Sequence, residues 1–337
     1  MYTNILVTGG LGFVGSHLVD AYLALENVKK VVVFDNFSTG TIENLKHIRD
    51  ERLTVIAGSI LDRLKLNEIM KDHKFDLVNH QAAELEVNTG ISNPLLDADT
   101  NIMGTLNVLD LALAHKVKRV LVASSGAVYG EAQYVPVDEK HPLEPHWPYG
   151  VSKLAAERYA IQYHKLYGLN VSAFRYSIVY GEREWFGRVL TMFIKRIFVE
   201  NKPPVVFGNG TQSRDYVYVK DIVRAQMLAL QNPKSNGEVF NLSSGLGISV
   251  TQLAETLVNL DGGRFEIIYD DPNEGSASKY QPERIRLQGE LKRFVLDSTK
   301  AEKILRWVPQ TTFEKGLQKE IGWIKGNTVF WNVKPRV

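Results

Sequence analysis

A tyrosine and a lysine stand four residues apart at the start of a predicted helix, in the segment PYGVSKLAAERY (148–159). Positions i and i+4 share one helix face, so the phenol of Tyr149 and the ammonium of Lys153 can reach the same pocket. A neighbouring cation favours the phenolate, and we expect it to lower the tyrosine pKa toward the working range of an acid–base catalyst. Ser125, at the end of a predicted strand, can hold a substrate oxygen and help to transfer its proton. Considered alone, the Tyr149–Lys153 pair is better explained as helix surface, but the residues upstream favour chemistry.

A glycine-rich turn follows the first predicted strand in ILVTGGLGFVGSHLV (5–19). Gly9, Gly12 and Gly15 allow a tight turn and let backbone N–H groups approach a pyrophosphate at the positive end of a helix. Asp35 follows Gly15 by twenty residues, where a carboxylate can accept hydrogen bonds from ribose hydroxyls and would repel a 2′-phosphate. Together these residues predict a dinucleotide site that prefers NAD to NADP. The alternative is a turn formed by Asp35 and Asn36 without any ligand.

A second group of candidates follows the other predicted strands of this region. Ligands of open α/β sheets bind beyond the carboxyl ends of the strands, so position alone makes these residues candidates for the cofactor pocket. Ser59 and Ile60 are expected at the edge of an adenine pocket, and the small residues of NHQAA (79–83) leave room for the cofactor. The further cofactor candidates are Phe13, Val14, Asn36, Ser59, Ile60, Gln81, Ala82, Ala83, Ser124 and Tyr176.

Short β-branched runs alternate with helical patterns through the first half of the chain. The runs are NILVTGG (4–10), KVVVFDN (30–36), LTVIAGS (53–59), FDLVNHQAA (75–83) and RVLVASSG (119–126). Apolar strands separated by helices predict an α/β fold with a doubly wound parallel sheet of the Rossmann type. After about residue 175 the pattern becomes irregular, and GEVFNLSSG (237–245) predicts one more buried strand of the same sheet.

We therefore predict two closely packed domains with a cleft between them. Residues 1–175 together with about 220–245 form the NAD-binding Rossmann domain. Residues from about 176 to 219 together with 246–330 form a smaller, C-terminal substrate-binding domain.

The composition excludes several classes of function. The 337 residues include no cysteine, which excludes disulfides, thiolate metal sites and cysteine nucleophiles, and we predict no metal site. A formal net charge of +2 gives no field that would attract nucleic acid or an anionic membrane. No apolar stretch approaches the roughly 18 residues of a membrane span, and the N-terminus lacks a leader pattern, so we expect a cytoplasmic enzyme.

The order of motifs along nearly the whole chain resembles the extended short-chain dehydrogenases/reductases, specifically nucleotide-sugar epimerases of the UDP-glucose 4-epimerase type. The resemblance rests on TGGLGFVGSH, NHQAA, NPLLDADTNIMGTLNVL, YGVSK, FRYSIVYGERE, FGNGTQSRDYVYVKDI and LDSTKAEKILRWVP. It implies a UDP-hexose substrate whose C4 is inverted by transient oxidation with tightly bound NAD, through a 4-keto intermediate. It also implies a homodimer, formed by the helix containing NIMGTLNVLDLAL and the helix that begins at Tyr149.

The resemblance assigns roles residue by residue. Tyr149 would be the acid–base residue, Lys153 would bind the nicotinamide ribose and tune the tyrosine, and Ser125 would be the hydroxyl partner. Asn101 corresponds to a residue that lines the cofactor site in such enzymes. The substrate diphosphate would be bound by Arg214, for which a guanidinium fork is suited, and by Arg286 in RLQGE, where the family has RPGE. Glu290 of the same motif would be a further substrate-binding residue. For Arg214 the alternative is an interdomain salt bridge.

Three departures from the family pattern bear on the reaction and the sugar. Gly126 and Ala127 occupy the positions where related 4,6-dehydratases carry an Asp-Glu pair, so dehydration is disfavoured. Ile178 replaces a substrate-contacting asparagine of the glucose/galactose epimerases. Arg188 lies where a small or apolar residue is expected, and it could bind a C6 carboxylate, which would make the substrate UDP-glucuronate or UDP-galacturonate. A catalytically inactive NAD-binding regulator is the alternative from another class, and the presence of both Tyr149 and Lys153 opposes it.

Overall fold

The computed structural model describes residues 2–184, 187–282, 284–286 and 288–327, so residues 328–330 of the predicted second domain lie outside it. The strands are β1 (Asn4–Thr8), β2 (Lys30–Asp35), β3 (Leu53–Ala57), β4 (Leu77–His80), β5 (Arg119–Ser125), β6 (Val171–Tyr176), β7 (Ile178–Tyr180), β8 (Val205–Phe207), β9 (Ser213–Tyr218), β10 (Glu238–Leu242), β11 (Gly247–Ser249), β12 (Ile268–Asp270) and β13 (Arg293–Phe294). The α-helices are α1 (Phe13–Leu23), α2 (Arg63–His73), α3 (Val87–Ser92), α4 (Pro94–Ala98), α5 (Gly104–Ala114), α6 (Pro148–Tyr167), α7 (Val189–Phe198), α8 (Val219–Gln231), α9 (Val250–Leu260), α10 (Thr299–Leu305) and α11 (Phe313–Gly326).

The largest sheet in the described part of the chain has seven parallel strands in the order β10-β6-β5-β4-β1-β2-β3. Ile5 of β1 is in register with Val31 of β2 on one side and with Leu77 of β4 on the other. The strand order therefore reverses at β1, and such a reversal is where open α/β sheets bind ligands. The predicted doubly wound parallel sheet is confirmed, and the strand predicted within 237–245 is β10 at the sheet edge.

Side chains of the central strands alternate between two separate cores. Ile5 and Val7 pack in one core with residues of α1 and α8, whereas Leu6 packs in the other core with residues of α2 and α5. Because helices cover both faces, the apolar side chains on either face of these strands are buried in a hydrophobic core. This explains why the strand sequences are continuous apolar runs rather than alternating ones.

Smaller sheets lie beside the large one and pack against it. β9 pairs with β7, β11 and β13, and β8 pairs with β12. α7 packs against α9 and α11. Phe193, Val217, Leu253 and Leu317 of these elements belong to the same hydrophobic core as α1 and α8. This region is therefore closely packed on the sheet, while the division of the chain into two domains at the predicted boundaries remains a prediction.

The helix α6 positions the predicted tyrosine and lysine. It begins at Pro148, and a proline is tolerated there because the first N–H groups of a helix have no partner within the helix. It ends at Tyr167 and is followed by Gly168, which has the left-handed φ of 72°. Tyr149 and Lys153 therefore lie in its first two turns. α6 packs against β5 and against the helical turn 126–129 that follows β5, so these turns lie close to the strand end that carries Ser125.

Across the described ranges, no helix combines the length and the apolar character needed to cross a membrane.

Candidate active site

A cavity of about 630 Å³ extends over the carboxyl ends of the central strands and reaches the smaller sheets. Most of the predicted site residues line it, and the exceptions are Asn101 and Arg286. The predicted residues that line it are Gly9, Gly12, Phe13, Val14, Gly15, Asp35, Asn36, Ser59, Ile60, Gln81, Ala82, Ala83, Ser124, Ser125, Tyr149, Lys153, Tyr176, Arg188, Arg214 and Glu290. The tertiary structure therefore brings the predicted cofactor, catalytic and substrate residues to one space.

The glycine turn is so tight that side chains are excluded from it. Gly9 has a φ of +68°, and a Cβ added there would lie 2.6 Å from the backbone nitrogen of Ala82. A Cβ at Gly15 would lie 2.2 Å from the carbonyl oxygen of Gly9. α1 begins at Phe13, so the residues of its first turn border the space that these glycines leave open. A pyrophosphate fits this arrangement, because it needs backbone N–H donors and a close approach.

Replacing Gly15 with alanine is expected to weaken the binding of NAD. The added methyl group must displace the Gly9 carbonyl, and overpacking of this kind costs about 1–3 kcal/mol, which corresponds to roughly 5- to 150-fold weaker binding. The measurement is the affinity for NAD by titration calorimetry of NAD-depleted protein. Gly322→Ala is the control, because a Cβ at that position of α11 meets nothing within 4 Å. Equal affinities in the two variants would contradict the proposed cradle.

Asp35 is held in a fixed orientation at the end of β2. Its carboxylate accepts hydrogen bonds from the backbone N–H groups of Leu11, at 3.0 Å, and of Phe37, at 2.8 Å. Burial raises its pKa, and these two hydrogen bonds work in the opposite direction. A carboxylate has about four lone-pair sites, so further acceptors remain for ribose hydroxyls, whereas a 2′-phosphate would be repelled. The acceptor oxygens of Asp35 therefore fit the ribose hydroxyls of NAD.

Tyr149 and Ser125 meet in the cavity. Both side chains border it, and Ser125 Oγ accepts the backbone N–H of Ala127 at 3.1 Å. Burial raises the pKa of Tyr149, while the influence of the Ser125 hydroxyl and the charge of Arg188 lower it by less. In this structure, removing the phenol from water is the larger effect. The expected lowering of the tyrosine pKa depends on a nicotinamide cation as well as on Lys153, and it stays a prediction.

Lys153 is only 6% exposed and is anchored to the sheet. Its Nζ donates to the carbonyl oxygen of Ala123 on β5 at 2.5 Å. Burial lowers the pKa of Lys153 to about 8, and the negative charges of Asp97 and Glu157 oppose that effect. Lys153 therefore remains mostly a cation at neutral pH, as a residue that binds ribose hydroxyls and stabilises a phenolate must be.

A buried ionic network connects the three elements that carry the site. Glu157, one turn after Lys153, accepts a hydrogen bond from Ser124 Oγ at 2.6 Å. It also pairs with Arg175 of β6 at 2.6 Å, and the two side chains are 1% and 3% exposed. Arg175 donates in turn to the hydroxyl of Tyr129. The network joins α6 to β5 and β6. Ser124 borders the cavity, but its hydroxyl donates its proton to Glu157 within this network.

Asn101 has a different place from the one predicted. Its side-chain amide donates to the carbonyl of Glu84 at 2.9 Å, to Asp97 at 2.8 Å and to Ser152 at 3.0 Å. Its side-chain oxygen accepts the backbone N–H of Glu84 at 2.9 Å. With these contacts, 1% exposure and no share in the cavity wall, Asn101 supports α6 and does not line the cofactor site.

Tyr176 is fixed by amides at the end of β6. Gln226 Nε2 donates to its hydroxyl at 2.8 Å, and that hydroxyl donates to Gln81 Oε1 at 3.3 Å. Gln81 Nε2 donates to the side-chain oxygen of Asn79, and the side-chain amide of Asn79 donates in turn to Gln226. The closed set of contacts leaves the ring of Tyr176 as a rigid part of the wall.

The arginines of the substrate region are distributed differently from the prediction. Arg214 lines the cavity, and its Nη2 lies 3.9 Å from Glu290. Arg286 does not line it, because its guanidinium pairs with Asp271 outside. Arg284 lines the cavity instead, with its guanidinium carbon 4.0 Å from the centroid of the Phe207 ring. Arg284 is therefore the arginine of this segment that borders the cavity, while diphosphate binding by Arg286 stays a prediction.

The sequence analysis missed several charged residues that line or support the cavity, among them Glu157, Arg183, Glu184 and Arg284. Glu157 had a usable signal, because it follows Lys153 by four residues and so shares its helix face. Arg183, whose Nη2 donates to Asp20 at 2.7 Å, and Glu184 lie in an irregular segment without periodicity. Their positions depend on the path of the loop between β7 and α7.

The parallel sheet reverses its strand order at β1, and the glycine turn, the carboxylate at the end of β2 and the Tyr–Lys pair of α6 all border the cavity beside it. This combination is that of the NAD-dependent short-chain dehydrogenases/reductases. Over residues 6–320 the chain matches the family described as GDP-mannose 4,6 dehydratase, and it belongs to that family.

Known relatives place it among enzymes of nucleotide sugars. A putative UDP-glucose 4-epimerase of Methanocaldococcus jannaschii is 38% identical, over 96% of this chain and 99% of the relative. The UDP-glucose 4-epimerase of Thermotoga maritima, solved with UDP-glucose, is 34% identical with a TM-score of 0.86, over 96% of this chain and 99% of that one. The dTDP-glucose 4,6-dehydratase of Bacillus anthracis, solved with NAD, is 28% identical with a TM-score of 0.84, over 98% of both chains. The chain is thus an NAD-dependent nucleotide-sugar epimerase or dehydratase.

Proposed function

We propose that this protein is a UDP-hexose 4-epimerase that interconverts UDP-glucose and UDP-galactose through a 4-keto intermediate. The observation that carries the proposal is that Tyr149 and Ser125 line the cavity together, and that Gly126 and Ala127, which follow Ser125, line it too. Dehydration needs an acid and a base near C6, and neither Gly126 nor Ala127 supplies one. Epimerisation needs one proton-transfer residue, which Tyr149 provides.

Tyr149 takes the proton of the sugar 4-hydroxyl and later returns it, with Ser125 holding the same oxygen. NAD held by the glycine turn and Asp35 would supply the acceptor for hydride from C4 and its return to the opposite face of the sugar. Lys153 supplies a positive charge that stabilises the phenolate form of Tyr149. Arg214 and Arg284 would hold the diphosphate, since guanidinium groups bind phosphate oxygens strongly. Anchoring there leaves the hexose free to turn over.

The test is a coupled assay with UDP-glucose and UDP-galactose, with the products analysed by chromatography. Interconversion of the two sugars without any net change in NAD is the expected result. Accumulation of a 4-keto-6-deoxy sugar would show dehydration and would overturn the proposal. Tight NAD binding without conversion of any nucleotide sugar would support the inactive regulator instead.

We also propose a homodimer that buries the outer surfaces of α5 and α6. Apolar side chains on and before these helices are exposed, including Met103 at 51%, Val151 at 52% and Tyr159 at 44%. Exposed apolar groups clustered on one side of a molecule favour a protein partner. Sedimentation of the protein as a monomer at micromolar concentration would contradict this assembly.

The second candidate function is 4-epimerisation of UDP-glucuronate and UDP-galacturonate. The position of Arg188 supports it, because this residue lines the cavity and its positive charge lowers the pKa of Tyr149 against the larger effect of burial. A cation near the reacting phenol is suitably placed to meet a carboxylate at C6 of the same sugar.

Replacing Arg188 with leucine distinguishes the two substrates. If the enzyme uses uronates, kcat/KM for UDP-glucuronate falls by roughly 100-fold, since the partner of a buried charge is removed. The value for UDP-glucose is expected to change far less. The measurement is initial rates with both substrates, and Lys195→Leu on the following helix is the control for loss of a positive charge nearby. An equal decrease of kcat/KM with both sugars would contradict the proposal that Arg188 binds the carboxylate of a uronate.

A further inference from the structure

The loop that follows β7 rests on the side of helix α1. Arg183 Nη2 donates to Asp20 Oδ2 of α1 at 2.7 Å, and the two side chains are 13% and 32% exposed. His17 Nε2, one turn earlier on α1, lies 2.7 Å from the backbone carbonyl of Glu182 and donates to it, because a carbonyl can only accept. Positions 17 and 20 share one helix face, so residues 181–184, the β7 loop, are fixed along that face.

A second anchor holds the β7 loop on the smaller sheet. The hydroxyl of Tyr218, at the end of β9, lies 2.7 and 2.9 Å from the two carboxylate oxygens of Glu182 and donates to that carboxylate. Lys220 Nζ lies 3.6 Å from the same carboxylate. The β7 loop therefore connects α1, which follows the glycine turn, with β9, which carries Arg214.

The backbone of the β7 loop depends on these anchors. Arg183 has a φ of +69°, in the left-handed region that residues other than glycine rarely adopt. Gly181 has a φ of +138°, and a Cβ there would lie 2.8 Å from Val219 Cγ1. Such conformations persist where the surrounding contacts impose them. Loss of the contact between Arg183 and Asp20 should therefore release the loop from α1.

The β7 loop and the start of α1 are two walls of the same cavity. Phe13, Val14 and Gly15 border it from α1, and Arg183 and Glu184 border it from the loop. NAD bound at the glycine turn would occupy this cavity. A loop docked on α1 narrows the cavity beside that position, and a loop that leaves α1 widens it.

We propose that the ion pair of Arg183 and Asp20 is a latch that slows the exchange of NAD. Both are positioning residues, because they act on the loop and do not touch the cofactor. An enzyme that oxidises and then reduces the same sugar must keep one cofactor through both steps, so the benefit of the latch rests on the proposed epimerisation. The latch itself rests only on the binding of NAD.

A latch of this kind changes rates and leaves the equilibrium nearly unchanged. The loop must leave α1 both when the cofactor enters and when it departs, so a weaker latch raises both rate constants by the same factor. Their ratio, which is Kd, then stays constant. Loss of a residue that touches the cofactor raises Kd instead, mostly through faster dissociation. These two roles of Arg183 are therefore distinguishable.

The experiment measures the exchange of NADH, whose fluorescence reports binding without any nucleotide sugar. Dissociation is followed after NADH-loaded protein is mixed with excess NAD, and association after cofactor-depleted protein is mixed with NADH. Arg183→Ala and Asp20→Ala should each raise both rate constants about fivefold, the factor expected for one ion pair between partly exposed side chains, and Kd should change by less than about twofold.

A double variant tests whether the two residues act as one unit. Arg183→Ala combined with Asp20→Ala should raise the rates no further than either change alone, because all three variants break the same contact. Arg183→Lys keeps the positive charge and should retain part of the latch. Arg264→Ala is the control and should exchange NADH at the wild-type rates, because it breaks an exposed ion pair with Asp261 and neither residue borders the cavity.

Three results would overturn the latch. Unchanged exchange rates in Arg183→Ala would show that the β7 loop does not limit exchange. A raised Kd with an unchanged association rate would assign Arg183 to the cofactor itself. Effects that multiply in the double variant would show that the two residues act separately. Asp20→Asn keeps the shape of the side chain without its charge, and it should also speed exchange, so the test does not depend on the folding of an alanine variant.

Failure of the latch and failure of the proposed function give different results. The exchange of NADH needs no sugar, so a protein whose variants behave as a latch but which converts no nucleotide sugar would overturn only the epimerase. Epimerisation by a protein whose exchange rates no variant changes would overturn only the latch.

Discussion

Replacement of Tyr149 by phenylalanine is expected to lower kcat for UDP-galactose by about 1,000-fold, which is the usual contribution of a positioned acid–base group. The ring of phenylalanine fills the same space at the start of α6, but it cannot accept the proton of the sugar 4-hydroxyl. Ser125 does not replace it, because a serine hydroxyl without an adjacent base is a poor proton acceptor at neutral pH. The measurement is kcat in the coupled assay, together with the NAD content of the purified protein.

The NAD content distinguishes lost chemistry from a lost cofactor. The glycine cradle and Asp35 are unchanged in Tyr149→Phe, so the variant should retain NAD. Tyr159→Phe is the matched control, because Tyr159 lies on the same helix and is 44% exposed. Activity of Tyr149→Phe within a few-fold of the wild type would exclude Tyr149 as the proton acceptor.

Replacement of Glu157 by glutamine is expected to lower the free energy of unfolding by about 3–5 kcal/mol, because it leaves the charge of Arg175 buried without its partner. Ser124 also loses a charged acceptor for its hydroxyl. Burial lowers the pKa of Lys153 and Glu157 opposes this, so the variant should also lose activity at a lower pH on the basic side. The measurements are urea unfolding and the pH dependence of kcat.

Two comparisons separate this effect from general disruption. Glu43→Gln removes one member of the exposed pair of Glu43 and Lys46, and it should leave the unfolding midpoint unchanged. The double variant Glu157→Leu and Arg175→Met removes both buried charges, and it should recover much of the lost stability. A shifted stability without any shift of the pH profile would limit Glu157 to a structural role.

The sequence predicted those site residues whose positions follow from local rules. A glycine turn between a strand and a helix, an acid at the end of the next strand, and a Tyr–Lys pair at spacing i and i+4 each depend on a short segment. Gly15, Asp35, Tyr149 and Lys153 accordingly line the cavity. The parallel sheet was predictable for the same reason, since continuous apolar runs are needed where helices cover both faces.

Predictions that depended on burial or on the path of a loop were less accurate. Desolvation raises the pKa of Tyr149, and desolvation is a property of the folded cavity. Asn101 is surrounded by Glu84, Asp97 and Ser152, which come together only when α6 packs beside it. Arg284 borders the cavity whereas Arg286 does not, because the guanidinium of Arg286 pairs with Asp271.

By itself, the sequence determined the sheet, the glycine turn and the spacing of Tyr149 and Lys153, because each arises from residues close together in the chain. Only the tertiary structure decided which charges border the cavity. Glu320 lies on α11, the last described helix, and only folding brings it near Glu184 in the loop after β7. Electrostatic interactions depend on distance and burial, which no sequence spacing across such a separation specifies.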